Sequence, residues 1–137
     1  MLSKKTKYGL KALIYIAKRS GQEPVLISEI SERERIPKKF LEAILLDLKK
    51  FGIVGSKKGK GGGYYLLKDP KEITAATLIR VLDGPIAMLP CVSLNFYEPC
   101  DDCPHQEICS LNKFLAQVRD NTLNLLQEKS LYDLSIL

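Results

Sequence analysis

One histidine, His105, is all that the 137-residue sequence carries, and no serine or cysteine stands with an evident general base. Hydrolytic acid–base chemistry draws most often on histidine, so no enzyme of that kind is expected. Uninterrupted apolar runs of the length a signal peptide or membrane span needs are lacking too. Near the N-terminus Lys4, Lys5, Lys7 and Lys11 break up the apolar residues. The expected compartment is the cytoplasm, with no membrane partner, where thiols stay reduced and cluster for metal or redox reasons. Internal repeats are missing, and the one low-complexity tract is glycine-rich, within 55–63.

What is present suits one ordinary domain, or a small domain with a long helical arm. Hydrophobic residues at 45% and charged residues at 27% exclude general disorder. The net charge of +5 is unevenly spread. Residues 1–70 hold 16 Lys and Arg against 7 Asp and Glu, a balance of +9; residues 71–137 hold 5 against 9, or −4. A basic front half suits a polyanion, whereas the bland alternative is a solvated surface. Placement of the charges on a motif decides between them.

Leu10, Leu13, Ile14 and Ala17 recur at helical spacing, which predicts a first helix from Thr6 to about Arg19, stopped by Ser20-Gly21. An extended piece at Val25–Ile27 leads to Ser28 as an N-cap and a short second helix to about Arg35. Proline then restarts the chain. A third helix, Pro37 to Phe51, buries Leu41, Ile44, Leu45 and Leu48 and is stopped by Gly52. Two β-prone runs, Ile53-Val54 and Tyr64–Leu67, flank the basic glycine tip and form a hairpin. A hairpin directly after a helix-turn-helix is a wing. A fourth helix covers Thr74–Leu82 and ends at Asp83-Gly84-Pro85. A long late helix puts Leu111, Leu115, Val118, Thr122 and Leu125 on one seam, and dimerisation is its economical use; packing back on the winged domain is the alternative. Ser130-x-x-Asp133 opens one more short turn.

The front of the third helix and the wing carry the chemistry for double-stranded DNA. Lys38, Lys39, Phe40 and Glu42 stand at the helix N-terminus, where major-groove base edges are reached, with Ala43 behind them. Ser56, Lys57, Lys58 and Lys60 lie along the wing, where glycines let backbone approach phosphate and lysines neutralise it. Lys4, Lys5 and Lys7 would add backbone contacts. A phosphate-cradling nucleotide loop fails at Gly55–Gly61: three residues separate the glycines instead of four, and Gly61 replaces the required hydroxyl.

All four cysteines fall between positions 91 and 109, as C-x8-C-x2-C-x5-C. Cys91, Cys100, Cys103 and Cys109 are soft donors on irregular backbone, able to wrap one ion or one cluster. The spacing is not that of a zinc ribbon, since only Cys100–Cys103 makes a CxxC knuckle. Asp101 and Asp102 disfavour the activated thiolate of a redox CxxC pair. His105 is a spare ligand or an ordinary loop residue.

The run Ile36-Pro-Lys-Lys-Phe-Leu-Glu-Ala-Ile-Leu, then Leu48-Lys-Lys-Phe-Gly-Ile-Val-Gly-Ser, Gly59-Lys-Gly-Gly-Gly-Tyr and Asp83-Gly-Pro closely resembles the bacterial IscR/NsrR/CymR regulators. The resemblance reaches from Lys7 to the final Leu-Tyr-Asp-Leu. It implies a mainly α fold with a small β wing: a winged helix-turn-helix plus a long C-terminal dimerisation helix, working as a homodimer on a palindromic operator. Three parts are expected: the DNA-binding domain at 1–84, a cysteine-rich loop at 85–110, and a dimerisation helix with its C-terminal turn at 111–137. Cluster-binding members carry three loop cysteines, which Cys91, Cys103 and Cys109 match with a longer first spacer. Asn112 stands where the cluster regulator has a histidine, and Lys7 near where the nitric-oxide sensor offers a carboxylate, so Cys100 is the candidate fourth ligand. Lys58 stands where an arginine often enters the minor groove. The expected function is a transcription regulator, a repressor by expectation, controlled by a 2Fe–2S or 4Fe–4S cluster. Structural zinc, redox-switching thiols and a non-DNA-binding interaction module are the alternatives.

Overall fold

Ser3 opens the first helix by accepting the Thr6 backbone N–H, and in the computed structural model, which describes residues 2–137, α1 runs Lys4–Lys18. It starts before Thr6 because the capping serine lies outside the apolar stripe that marks the helix in sequence. Helix α2 (Ile27–Glu34) also begins early: Leu26 takes the cap position and Ser28 is already helical, with no side-chain cap bond. In α3 (Lys38–Lys50) Pro37 is the cap residue rather than the first helical one, and Leu41, Ile44, Leu45 and Leu48 are buried.

Strands β1 (Val54–Lys57) and β2 (Gly63–Leu66) pair antiparallel, Val54 opposite Leu66 and Lys57 opposite Gly63. The extended piece before α2 adds a single bridge to this hairpin. Val25 N–H donates to Tyr64 O (2.8 Å) and Tyr64 N–H to Val25 O (2.7 Å). Gly63 sits at that junction with φ +139°, and a β-carbon there would lie 2.4 Å from Val25 O. Only glycine lets the two backbones approach so closely.

Helix α4 (Ala75–Leu82) is capped by Thr74, whose side chain accepts the Thr77 N–H. Helix α5 (Ser110–Glu128) is long, with Leu115 and Leu123 buried. The last helix, α6 (Leu131–Ser135), carries a capping box in which Ser130 and Asp133 exchange hydrogen bonds. It packs back on α1, burying Leu131 completely, and Leu131 N–H donates to Ile73 O at 2.7 Å.

Two apolar clusters result. The main one joins α1, α2, α3, β1, α4 and Leu131; the smaller one joins Cys91, Val92 and Leu115, with Ala87, Leu89, Cys100 and Ala116 against it. Arg35 ends α2 in the left-handed region, φ 54° and ψ 47°. Such a conformation costs a residue with a β-carbon about 1–2 kcal/mol. No helix among the described residues is long and apolar enough to cross a membrane.

Candidate nucleic-acid interface and cysteine loop

The apolar side of α3 is buried, so its other side is presented. Lys38, Lys39, Glu42 and Ala43 are exposed at its front and Leu46, Lys49 and Lys50 further back. Phe40, expected among the base-reading residues, lies elsewhere. Its ring packs edge-on against Tyr8 at 5.5 Å between centroids, so it braces α3 on α1 and is half-buried. An aromatic with an apolar neighbour within reach gains more by packing than by facing water.

The wing turns the same kind of surface outward. Lys57, Lys58 and Lys60 are exposed, while Ser56 is half-buried and accepts a 2.7 Å hydrogen bond from Lys49 Nζ. That bond joins α3 to the wing, and no spacing in the sequence signals it because the partners lie on different elements. Of the N-terminal lysines, Lys4 and Lys7 are exposed, whereas Lys5 is paired with Asp47 on α3 at 2.9 Å. The Lys5 ammonium holds the Asp47 carboxyl below the usual carboxylate range. Lys5 is therefore spent on fixing α3 to α1, a use the charge pattern did not reveal.

The turn between α2 and α3 is closed tightly. Ser31 Oγ donates to Ile36 O (2.6 Å), Ile36 N–H donates to Ser31 O (3.0 Å), and Lys11 Nζ donates to Glu34 O (3.2 Å). On the other side of α2, Glu29 accepts from Tyr15 Oη and from Arg19. The Tyr15 hydroxyl is the first cause, and Arg19 a lesser one, of a Glu29 carboxyl held below its ordinary value.

The cysteine loop is moored to α5. Cys109 Sγ caps α5 by accepting the Asn112 N–H (3.4 Å), Asn112 Nδ2 donates to Cys91 O (3.4 Å), and Arg119 Nη1 donates to Val92 O (2.8 Å). Cys91 is buried; Cys100, Cys103 and Cys109 are half-buried, and all four are free thiols. Hydrogen bonding with the Cys91 side chain pushes the Cys100 thiol up, helped by burial and by the charges of Cys91, Cys103 and Asp102. Cys100 packs against the small cluster that holds Cys91, and Asp102 contributes less than the neighbouring thiol. His105 is exposed beside Glu107, 3.7 Å away.

Four thiols are the donors an iron–sulfur cluster or zinc takes. By type they fit either group; as they stand, no three His, Cys, Asp or Glu side chains among the described residues are set around one ion. Cys109 is engaged as a helix cap, and Asn112 serves as a tether.

The comparisons agree with this architecture. The family described as "Rrf2: Iron-dependent Transcriptional regulator" matches residues 2–135. An rrf2-like HTH-type transcriptional regulator of Rhodobacter capsulatus is 44% identical over 137 residues, covering 98% of this chain and 91% of that protein. The structure of CymR, the global cysteine regulator of B. subtilis, superposes with a TM-score of 0.82 at 31% identity, covering 98% of this chain and 95% of that one. T. potens IscR superposes with a TM-score of 0.79 at 26% identity, covering 98% and 85%. These relatives are transcription regulators and not enzymes.

Proposed function

Because this chain belongs to the Rrf2 family of transcriptional regulators, we propose that it is a sequence-specific regulator, a repressor, reading double-stranded DNA in the cytoplasm as a homodimer. The observation that carries this reading is the 2.7 Å bond from Lys49 to Ser56, which joins the exposed side of α3 to the wing. Lys38, Lys39 and Glu42 on α3 and Lys57, Lys58 and Lys60 on the wing are all exposed. In this reading Lys39 and Lys38 donate to guanine or phosphate and Glu42 accepts from cytosine. The wing lysines neutralise the flanking backbone. The parts are 1–84 for reading DNA, 85–110 for control, and 111–137 for dimerisation, with α6 returned to the first part.

Selection of a bound sequence from a random double-stranded library, followed by anisotropy across 50–300 mM salt, tests this. A palindromic consensus bound saturably, with affinity falling steeply as salt rises, is expected; binding without salt dependence sinks the reading. Control is assigned to the four-cysteine loop and its ligand to an iron–sulfur cluster, supported by four soft donors in nineteen positions and a family described as iron-dependent. Binding one requires the four thiols to draw together around it, with Cys109 released from its place as the α5 cap. A second reading, control by the thiols themselves, draws on the packing of Cys100 against the cluster that holds Cys91 and on the likeness to CymR, the global cysteine regulator of B. subtilis. Anaerobic isolation with iron, sulfide and zinc analysis separates them. Brown protein with matching iron and sulfide supports the cluster, one zinc per chain rejects it, and colourless metal-free protein favours the thiols.

A further inference from the structure

Arg35 is the only residue other than glycine, among those described, with a positive φ. Elsewhere this chain meets the same backbone demand with glycine, as at Gly21, Gly52, Gly59 and Gly61. Glycine is what a helix ending of this kind selects, because it has no β-carbon to strain. An arginine here is an uphill choice, and the turn itself does not call for one. Closure is done by Ser31, whose hydroxyl and carbonyl both bind Ile36, and by Lys11 on Glu34. The Arg35 N–H reaches Ser31 O, a bond any non-proline residue would make.

The Arg35 side chain, by contrast, is exposed and has no hydrogen-bond or ion-pair partner among the described residues. Its place is telling. It lies three residues before Lys38 and four before Lys39, in the rigid turn from which the front of α3 projects. Backbone strain retained at an exposed turn with nothing structural to offset it points to a use for the side chain. A guanidinium donates in a planar fork that matches phosphate oxygens two at a time. We infer that Arg35 is a DNA-backbone contact, clamping a phosphate beside the groove that α3 enters. The inference rests on the DNA-binding reading above and adds a residue to it.

The test compares the full-length wild type with Arg35→Gly and Arg35→Lys on the selected duplex, by anisotropy from 50 to 300 mM KCl, alongside thermal unfolding. Arg35→Gly is expected to unfold about 2–4 °C higher, as the left-handed strain is relieved. It is also expected to bind about five- to tenfold more weakly near 0.1 M salt, its salt slope shallower by about 0.9 for each protomer on the DNA. Arg35→Lys keeps the wild-type slope, since the charge remains. Gain of stability together with loss of affinity is a combination a merely structural residue does not produce. Wild-type affinity and slope in Arg35→Gly overturn the assignment, as does Arg35→Lys losing as much slope as Arg35→Gly. Failure of the wild type to bind any selected duplex overturns the DNA reading itself, and shows in the first arm before a variant is compared.

Discussion

Glu29 ties α1 to α2 by accepting from both Tyr15 and Arg19, and its depressed titration makes the tie dependent on pH. A carboxyl lowered in the folded state contributes stability that is complete above its unfolded value and is lost as pH falls through the folded one. Glu29→Gln is therefore expected to lower Tm at neutral pH, with the gap to wild type closing below the ordinary carboxylate range. Thermal scans from pH 3 to pH 7 check the sign. The side chain is 34% exposed, so solvent screens the effect and it stays modest. Gly63 is less forgiving. A β-carbon would meet Val25 O, so Gly63→Ala is expected to cost about 1–3 kcal/mol in urea unfolding and to weaken DNA binding by loosening the wing's root.

Elements differ in how openly the sequence declares them. α1, α3 and α5 are legible because each repeats an apolar stripe over several turns, α4 because Asp83-Gly84-Pro85 stops it, and the wing because glycines and lysines separate two β-prone runs. The capping box of α6 was legible too, yet five residues cannot display a period, so nothing announced that Leu131 is buried against α1. The left-handed turn at Arg35 was hidden because the signal for it is normally a glycine. In the cysteine loop, residue types disclosed a set of donors but not their moorings, since Asn112 and Arg119 act on backbone carbonyls that carry no identity in sequence. These moorings can be tested as a unit. Arg119→Met removes the donor to Val92 O, and faster iodoacetamide labelling of Cys91, buried in the wild type, is expected by mass spectrometry. An unchanged rate would mean the loop is held by packing alone.

At the scale of the whole molecule, the positive excess and the apolar seam of α5 lie in different halves of the chain. The front half carries the positive excess, while Ile108, Leu111, Phe114 and Leu125 lie exposed at and along α5. Large apolar side chains aligned on a helix with no cover in the chain suit a partner helix. Phe114→Glu with Leu125→Glu is expected to shift sedimentation from dimer to monomer while leaving the far-ultraviolet spectrum unchanged. A monomeric wild type would remove the dimer from the reading. The return of α6 to α1 bears on how such a dimer could respond. With Ser130 bridged to Thr74 and Leu131 locked in the main core, α5 is clamped at its far end and also packs on α4, while the cysteine loop moors its near end. The helix is thus a lever with its fulcrum at residue 130. At 19 residues its arm is about 28 Å long, so a 1 Å step at Cys109 swings it by about 2°. Leu111 and Phe114 travel most in such a swing and Leu125 least, so strain applied at the thiols would be felt first at the near end of the seam.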